Sequence, residues 1–546
     1  MVTADESSTT ASDLIEDDGS AYISRDMAPT PLSARKWGAR DLAALWISMS
    51  ACIPTYMLAS SLIAMGMNWW QAVLTIFLGN TIVLIPMILN AHAGTKYGIP
   101  FPVYCRASFG LRGANVPAML RALVACGWFG IQSYIGGQAI YTLLKIFHPE
   151  WAATEVLGSL NRPEFCCFLG FWSLNILVVI LGVDSIRLLL NIKAPLLIVL
   201  GLALLVWAYR AAHGFGPMLD QPSAFASGGA KAGQFWVFFF PALTAMVGFW
   251  ATLSLNIPDF TRYAYTQRDQ IIGQALGLPL TMGLFSFIGV AVTSATMTIY
   301  GQTIWDPIVL LSKFRDPVIL TLAMVSLALA TLATNIAANV VGPANDFAHL
   351  WPRKISFRIG GLMTGVIGIA IQPWKLLADP KGYIFVWLVS YSALLGAVGG
   401  ILIVDYYVIR RTRLDLKGLY DKDGPYWYFG GFNPIAMIAL FAGIGPCVPG
   451  FLATIGVSNV PKIWGDLFGY AWFLSFGVSG LVYLVLTKLK STRSQPNPSL
   501  KRGFGDVTNR SRRIDSGDTL RAGDIADIEN QECDDREAPG LDRPGC

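Results

Sequence analysis

Apolar runs of roughly 14 to 27 residues recur along this chain, at about 42–64, 70–92, 118–144, 164–184, 188–209, 235–256, 274–300, 317–341, 359–372, 383–408, 431–452 and 467–487. A helix of about 20 apolar residues is what crosses the hydrocarbon of a bilayer. The fold class that follows is an all-α transmembrane protein of about twelve spans, the ninth run being the shortest. Of the 546 residues, 54% are hydrophobic and only 14% charged, so a soluble globule would have too little polar surface to cover itself.

The charged residues set the orientation. With the N-terminus placed inside, one set of loops and span ends holds Lys96, Arg106, Arg112, Arg121, Arg262, Arg268, Arg410 and Arg411 among others, nearly twice as many Lys and Arg residues as the opposite set. The positive-inside rule then predicts both termini in the cytoplasm, for a multi-pass protein of the plasma membrane. Residues 1–40 form a polar cytoplasmic tail that opens acidic (Asp5, Glu6, Asp13, Glu16), unlike a signal peptide. The transporter domain expected at 41–487 divides into a repeat at about 41–210, a second at about 235–410 and extra spans at 431–487. Residues 488–546 turn basic and then acidic with few aromatics, a disordered tail whose basic part suits anionic lipid.

Two runs carry features that an inert anchor does not need. In the first, Ser48-Met-Ser-Ala-Cys-Ile-Pro54-Thr-Tyr56 puts a proline and small polar residues at mid-depth, where lost backbone bonds are tolerable only facing protein or a polar cavity. In the sixth, Pro241 and Gly248-Phe249-Trp250 interrupt the run in the same way. These spans are five apart, as two inverted five-helix repeats that each open with a discontinuous helix would place them. Ordinary proline kinks are the plainer reading.

The third run contains Trp128-Phe-Gly-Ile-Gln132, with an indole and an amide on one helix face; one can stack on a flat ring and the other bond its edge. In the eighth, Asn335 and Asn339 share a face in the same way. Intramembrane amides also serve simply to bond a neighbouring helix, and a tryptophan simply to pack. No phosphate loop, HExxH or GxSxG is present. His92, His148, His213 and His349 have no metal spacing, and the eight cysteines form no CxxC. A pump driven by ATP, an intramembrane enzyme and a nucleic-acid binder therefore lack their machinery, and no cofactor is expected. Asp259 and Asp346 fall just past the ends of the sixth and eighth runs, and span centres are almost free of charge, which favours a neutral solute.

Several stretches together resemble the nucleobase:cation symporter-1 family, carriers of uracil, cytosine, allantoin and hydantoins. They are Asp26-Met-Ala-Pro-Thr-Pro31, Ile53-Pro-Thr-Tyr56, Asn90 to Pro102, Arg106 to Asn115, Gly127 to Gln132, Asn256-Ile-Pro-Asp-Phe-Thr-Arg262 and Asp405 to Arg411. The resemblance implies a five-plus-five inverted repeat of the LeuT class. It also implies a secondary active, cation-coupled symporter for a neutral nucleobase or related ring, with an uncoupled facilitator or a purine, cytosine or vitamin-type carrier as alternatives. By the same resemblance Trp128 and Trp250 sandwich the substrate ring, while Gln132 and Asn339 bond its edge. Phe249 stands where a related hydantoin carrier has glycine, and Cys52 where it has glutamine. Ser48, Ala51, Ala330, Ala333 and Thr334 match a sodium site, with Ala333 in place of a serine. Because sodium wants several oxygen ligands, that loss favours coupling to protons, or weakly to sodium. Asp259 and Asp346 are the nearest acids for a proton.

Overall fold

The computed structural model describes residues 22–23, 27–153, 156–157, 160–181, 198–314, 316–351, 354–457 and 459–493. All twelve apolar runs contain helix. Eight unbroken helices are long and apolar enough to cross a membrane: Trp69–Tyr97, Asn115–Leu144, Arg162–Leu181, Gln267–Tyr300, Pro317–Leu350, Gly382–Ile409, Pro434–Thr454 and Ala471–Lys490. A bent pair, Ala39–Ser50 with Ile53–Ala64, makes span one, and the shorter apolar helices Ile198–Ala211, Phe235–Phe249 and Phe357–Ala370 belong to spans five, six and nine. Span five is described only from Ile198, and the tail expected beyond 493 lies outside the described residues. The only strands among the described residues are two-residue ones, in the loop before span four.

Local sequence accounts for the ends. Asn68 and Gln71 form a reciprocal capping box at the start of span two, and Gly98 ends that span in the left-handed region at φ 72°. Asp316 accepts from the backbone N–H of Val318 and Ile319, with Pro317 in the first turn, to start span eight. Thr266 caps span seven through the N–H of Asp269. Side chains such as Leu74, Ile85, Leu280, Leu322 and Val366 remain exposed on the outside of the bundle, the apolar surface that faces lipid.

The breaks differ in form. Span one bends by 57° at Ala51 and Cys52, and Pro54 opens its second half, where a missing N–H costs nothing. Span six is interrupted at Trp250 alone, between Phe235–Phe249 and Ala251–Asn256. The sequence also placed Pro241 among its interruptions. The structure corrects this: Pro241 sits inside a continuous helix, its ring against the space above Gly469, and the break comes nine residues later. Span one packs on span seven while span six packs on span two. Spans two and seven, and spans three and eight, pair with each other. That reciprocal pattern is the five-plus-five inverted repeat of the LeuT class, with spans eleven and twelve outside it.

Polar groups fix the helices to one another. Asn335 on span eight donates to the Phe129 carbonyl and Ser133 hydroxyl of span three and to Asn175 of span four. Asn90 on span two donates to the Ser254 carbonyl of span six. Gly360, Gly361 and Gly365 let span nine approach Ala344, Val179, Ile176 and Trp172. Span eight does not stop at Asn339 but continues as Val341–Leu350, which puts Asp346 within the helix instead of past its end. There it pairs with Arg121 of span three at 3.0 Å, with both side chains buried.

Removing one member of that pair strands a charge in the bundle, so Asp346→Ala is expected to cost about 3–5 kcal/mol. The double variant Arg121→Met/Asp346→Leu should recover most of the loss. Thermal unfolding of the detergent-solubilised protein reads both; a single variant as stable as the wild type would contradict the burial of the pair.

Candidate functional site

The two breaks meet at one cavity. Its walls are Met49, Cys52 and Pro54 from span one, Phe249, Trp250, Thr252 and Leu253 from span six, Trp128 and Gln132 from span three, and Thr334, Ala338 and Asn339 from span eight. All six residues expected to touch substrate, Cys52, Trp128, Gln132, Phe249, Trp250 and Asn339, are therefore on the same surface. Met49, Thr252, Leu253 and Ala338 also line it, and no sequence signal marks them out from other apolar or small residues.

The chemistry of the walls is uneven. The Oε1 of Gln132 and the Nε1 of Trp250 are buried with no hydrogen-bond partner in the protein. A buried acceptor and donor left unpaired cost free energy unless something else bonds them, and both lie on the cavity. Asn339 donates to the Oδ1 of Asn335 at 3.0 Å. The two amides of span eight thus divide their work: Asn335 holds helices together and Asn339 faces the cavity. Trp128 donates from Nε1 to the hydroxyl of Tyr391 at 3.3 Å.

Aromatic rings fill much of the space. Phe249 stands edge-on to Trp128 (centroids 5.2 Å apart, 80° between planes) and to Trp250 (5.0 Å, 90°), and Trp46 packs edge-on behind Trp250. The cavity measures ≈ 30 Å³. That holds a water or two, against roughly 300–1,000 Å³ for an ordinary small-molecule pocket. A ring can enter only as these side chains part. At the opposite end of the bundle from the N-terminus a wider cavity of ≈ 670 Å³ opens between Ala64, Met65, Lys231, Asp379, Phe385 and Thr454.

The five residues matched to a cation site lie in the spans that pack beside the same break. Ser48, Ala51, Ala330, Ala333 and Thr334 are all buried, and span eight packs against the first half of span one. Thr334 lines the cavity with Met49 and Cys52, and its hydroxyl donates to the Ala330 carbonyl at 2.9 Å, which leaves the oxygen lone pairs free to accept. Ala333 contributes no oxygen from its side chain. Among the described residues no three His, Cys, Asp or Glu side chains form a group able to hold a metal ion.

The acids lie elsewhere, at the end of the bundle that carries the N-terminus. Asp259, just beyond span six, accepts from the Phe101 N–H at 2.8 Å and from Asn256 at 3.0 Å. Burial pushes its carboxyl above the usual range, against the pull of the Arg121 guanidinium. Around it the segment Met27–Arg35 is tied down: Thr30 N–H donates to Gly98, Arg262 to the carbonyl of Ala28 and hydroxyl of Thr30, Arg35 to the Thr95 carbonyl, and Tyr420 to the Met27 carbonyl.

Sequence reasoning missed the tenth span's part in the site. Tyr383, Trp387 and Tyr391 each stand edge-on to Trp128, with centroids 6.2, 6.1 and 6.5 Å away. Their spacing of four residues, which puts all three on one helix face, was the available signal.

Comparison with known proteins adds to this geometry. Residues 29–475 match the family model described as permease for cytosine/purines, uracil, thiamine, allantoin. A purine-uracil permease of Arabidopsis thaliana is 46% identical over 480 residues, covering 87% of this chain and 79% of that protein. An allantoin permease of Bacillus subtilis is 37% identical over 468 residues, covering 85% of this chain and 93% of its own length. Among solved structures, a nucleobase-cation-symport-1 family transporter in a closed conformation with bromovinylhydantoin bound superposes with a TM-score of 0.69 at 23% identity. It covers 88% of this chain and 99% of its own, a likeness that speaks for the fold.

Proposed function

Because the chain belongs to the family of permeases for cytosine/purines, uracil, thiamine and allantoin, we propose that it is a cation-coupled symporter taking up a neutral nucleobase or related ring such as uracil, allantoin or hydantoin. As a member it is a multi-pass integral membrane transporter, not an enzyme. The observation that carries the reading of the substrate is the wall of the cavity: two indoles, an unpaired amide oxygen and an unpaired indole N–H, with no charged side chain among them. A flat neutral ring bearing both an N–H and a C=O answers that set. Trp128 and Trp250 supply the stacking faces, Gln132 and Asn339 bond the edge, and Cys52 and Phe249 shape the remaining wall.

Transport follows from where the breaks lie. The two interrupted spans meet at the substrate, so rocking them against spans three and eight opens the site to one side of the bilayer and then the other. Ser48, Ala51, Ala330, Ala333 and Thr334 form the ion site, and the gradient of that ion drives uptake. The chain lies in the plasma membrane with both termini in the cytoplasm, as the excess of Lys and Arg on one side favours.

Trp128→Ala is expected to abolish high-affinity uptake while the protein still inserts, with Phe restoring part of it, since the indole face is a large part of what holds a neutral ring. Unchanged apparent affinity in labelled uptake would remove Trp128 from the site. Asn339→Ala should weaken substrates with an amide-like edge by about tenfold or more and spare rings without one. Equal losses for both kinds would point to misfolding.

The driving ion is the third expectation. With Thr334 the one side-chain hydroxyl at the matched pair in span eight, sodium has one oxygen fewer, and coupling is to protons or only weakly to sodium. Asp259, whose carboxyl burial raises, is the better of the two acids, since Asp346 is held in an ion pair. Initial uptake with sodium replaced by choline, a pH series and a protonophore decides this. Strict sodium dependence, indifferent to the protonophore at clamped voltage, would overturn it; Ala333→Ser should raise sodium sensitivity.

A further inference from the structure

Span ten presents Tyr383, Trp387 and Tyr391 along one face, at spacings of four residues, and every one of them meets the indole of Trp128 edge-on. The two phenols end on the two breaks. The Tyr383 hydroxyl donates to the Pro54 carbonyl of span one at 3.2 Å, and the Tyr391 hydroxyl donates to the Gly248 carbonyl of span six at 2.8 Å. Tyr391 at the same time accepts from Trp128 Nε1. Both tyrosines are buried, and the stretch Gly382–Leu388 is wound as π-helix, a form that concentrates at functional sites.

The close approach is built into the backbone. A methyl group at Gly127 would come within 2.2 Å of the Trp387 ring, and one at Gly248 within 2.8 Å of the Leu388 carbonyl. Glycine at both places brings span three and the break of span six against span ten. A broken helix leaves carbonyls without intrahelical partners, and in a bilayer these must be bonded by protein. At Gly248, whose carbonyl also receives the Trp250 N–H, Tyr391 adds a bond with the same hydroxyl that receives the indole N–H.

From this we propose that Tyr391 is a positioning residue of the substrate site: its hydroxyl locks the plane of the Trp128 indole to the break of span six, so that stacking face and hinge keep a fixed relation. The role rests on the reading of the cavity as a nucleobase site. Trp128 has two rotatable bonds, and an indole pinned at Nε1 offers its face without losing that freedom anew when a ring arrives. A tyrosine that merely filled space between spans three, six and ten would act through its ring, which phenylalanine keeps.

The test begins with Tyr391→Phe in the full-length protein, with the uptake of uracil, allantoin and hydantoin measured as KM and maximal rate per inserted transporter. KM should rise about five- to tenfold, with the maximal rate within about twofold. In a Trp128→Phe background, which has no indole N–H, Tyr391→Phe should change KM by less than about twofold. Multiplicative effects in the double variant, or a fall in inserted protein with KM unchanged, would overturn the proposal. A measurement without substrate separates this from the transport reading. In indole ¹⁵N spectra of the detergent-solubilised protein, the Trp128 signal, assigned by its loss in Trp128→Phe, should shift in Tyr391→Phe. If it stays in place, Tyr391 does not hold the indole. If the wild type takes up none of the three solutes while the signal shifts, the substrate assignment falls, and with it the role in binding, but the hydrogen bond stands.

Discussion

Everything in this bundle depends on the rule that a backbone N–H or C=O in hydrocarbon must find its partner inside the protein. Among the described residues, eight spans meet it with one long helix each. Spans one and six do not, and each exposes carbonyls at mid-depth where no water is at hand. Span ten adds bonds beside both breaks: the Tyr383 hydroxyl donates to the Pro54 carbonyl, in the first turn of the second half of span one, and the Tyr391 hydroxyl to the Gly248 carbonyl, in the last turn before the break of span six. A break is thus tolerable only where neighbours are close and polar, which is why both fall at the same cavity, walled by spans three and eight.

The same rule organises the end of the bundle that carries the N-terminus. Arg106 donates to His349 and to the Leu419 carbonyl, Asp405 receives Ser108, Arg410 and Tyr483, Arg262 reaches the Ala28 carbonyl of the segment before span one, and Arg35 of that segment reaches the Thr95 carbonyl of span two. Gly98, where a methyl group would come within 2.7 Å of the Thr30 carbonyl, is the point at which that segment crosses the end of span two. Burial pushes the Arg106 guanidinium down to about 10, the cost of holding a cation there, and its hydrogen bonds to His349 and Leu419 replace the water it gives up. The stretches that mark the family in sequence are largely these interlocking ones; they describe how the helices are tied together more than what the protein carries.

That division explains how far the sequence could be read. Span number and the two broken helices were legible because hydropathy and a mid-run Pro54 report on the backbone directly. Trp128, Gln132 and Asn339 were legible because polar and aromatic groups shared a helix face, although nothing in the pattern could say that Asn335 packs while Asn339 faces the cavity. Pro241 misled, since a proline midway along a helix can remove one hydrogen bond without ending it. The part played by Tyr383 and Tyr391 was out of reach: it depends on which carbonyls span ten happens to meet, a fact of three-dimensional approach set by Gly127 and Gly248.

Phe249 shows what such an arrangement does to selectivity. Its ring stands nearly at right angles to both indoles, in the slot that a flat solute would take on the proposed reading. A molecule that stacks there competes with a side chain of the protein itself, an internal rival always present at the same effective concentration. On that reading weak or ill-shaped solutes lose the contest, and the ring that fills the slot in the empty carrier also closes it.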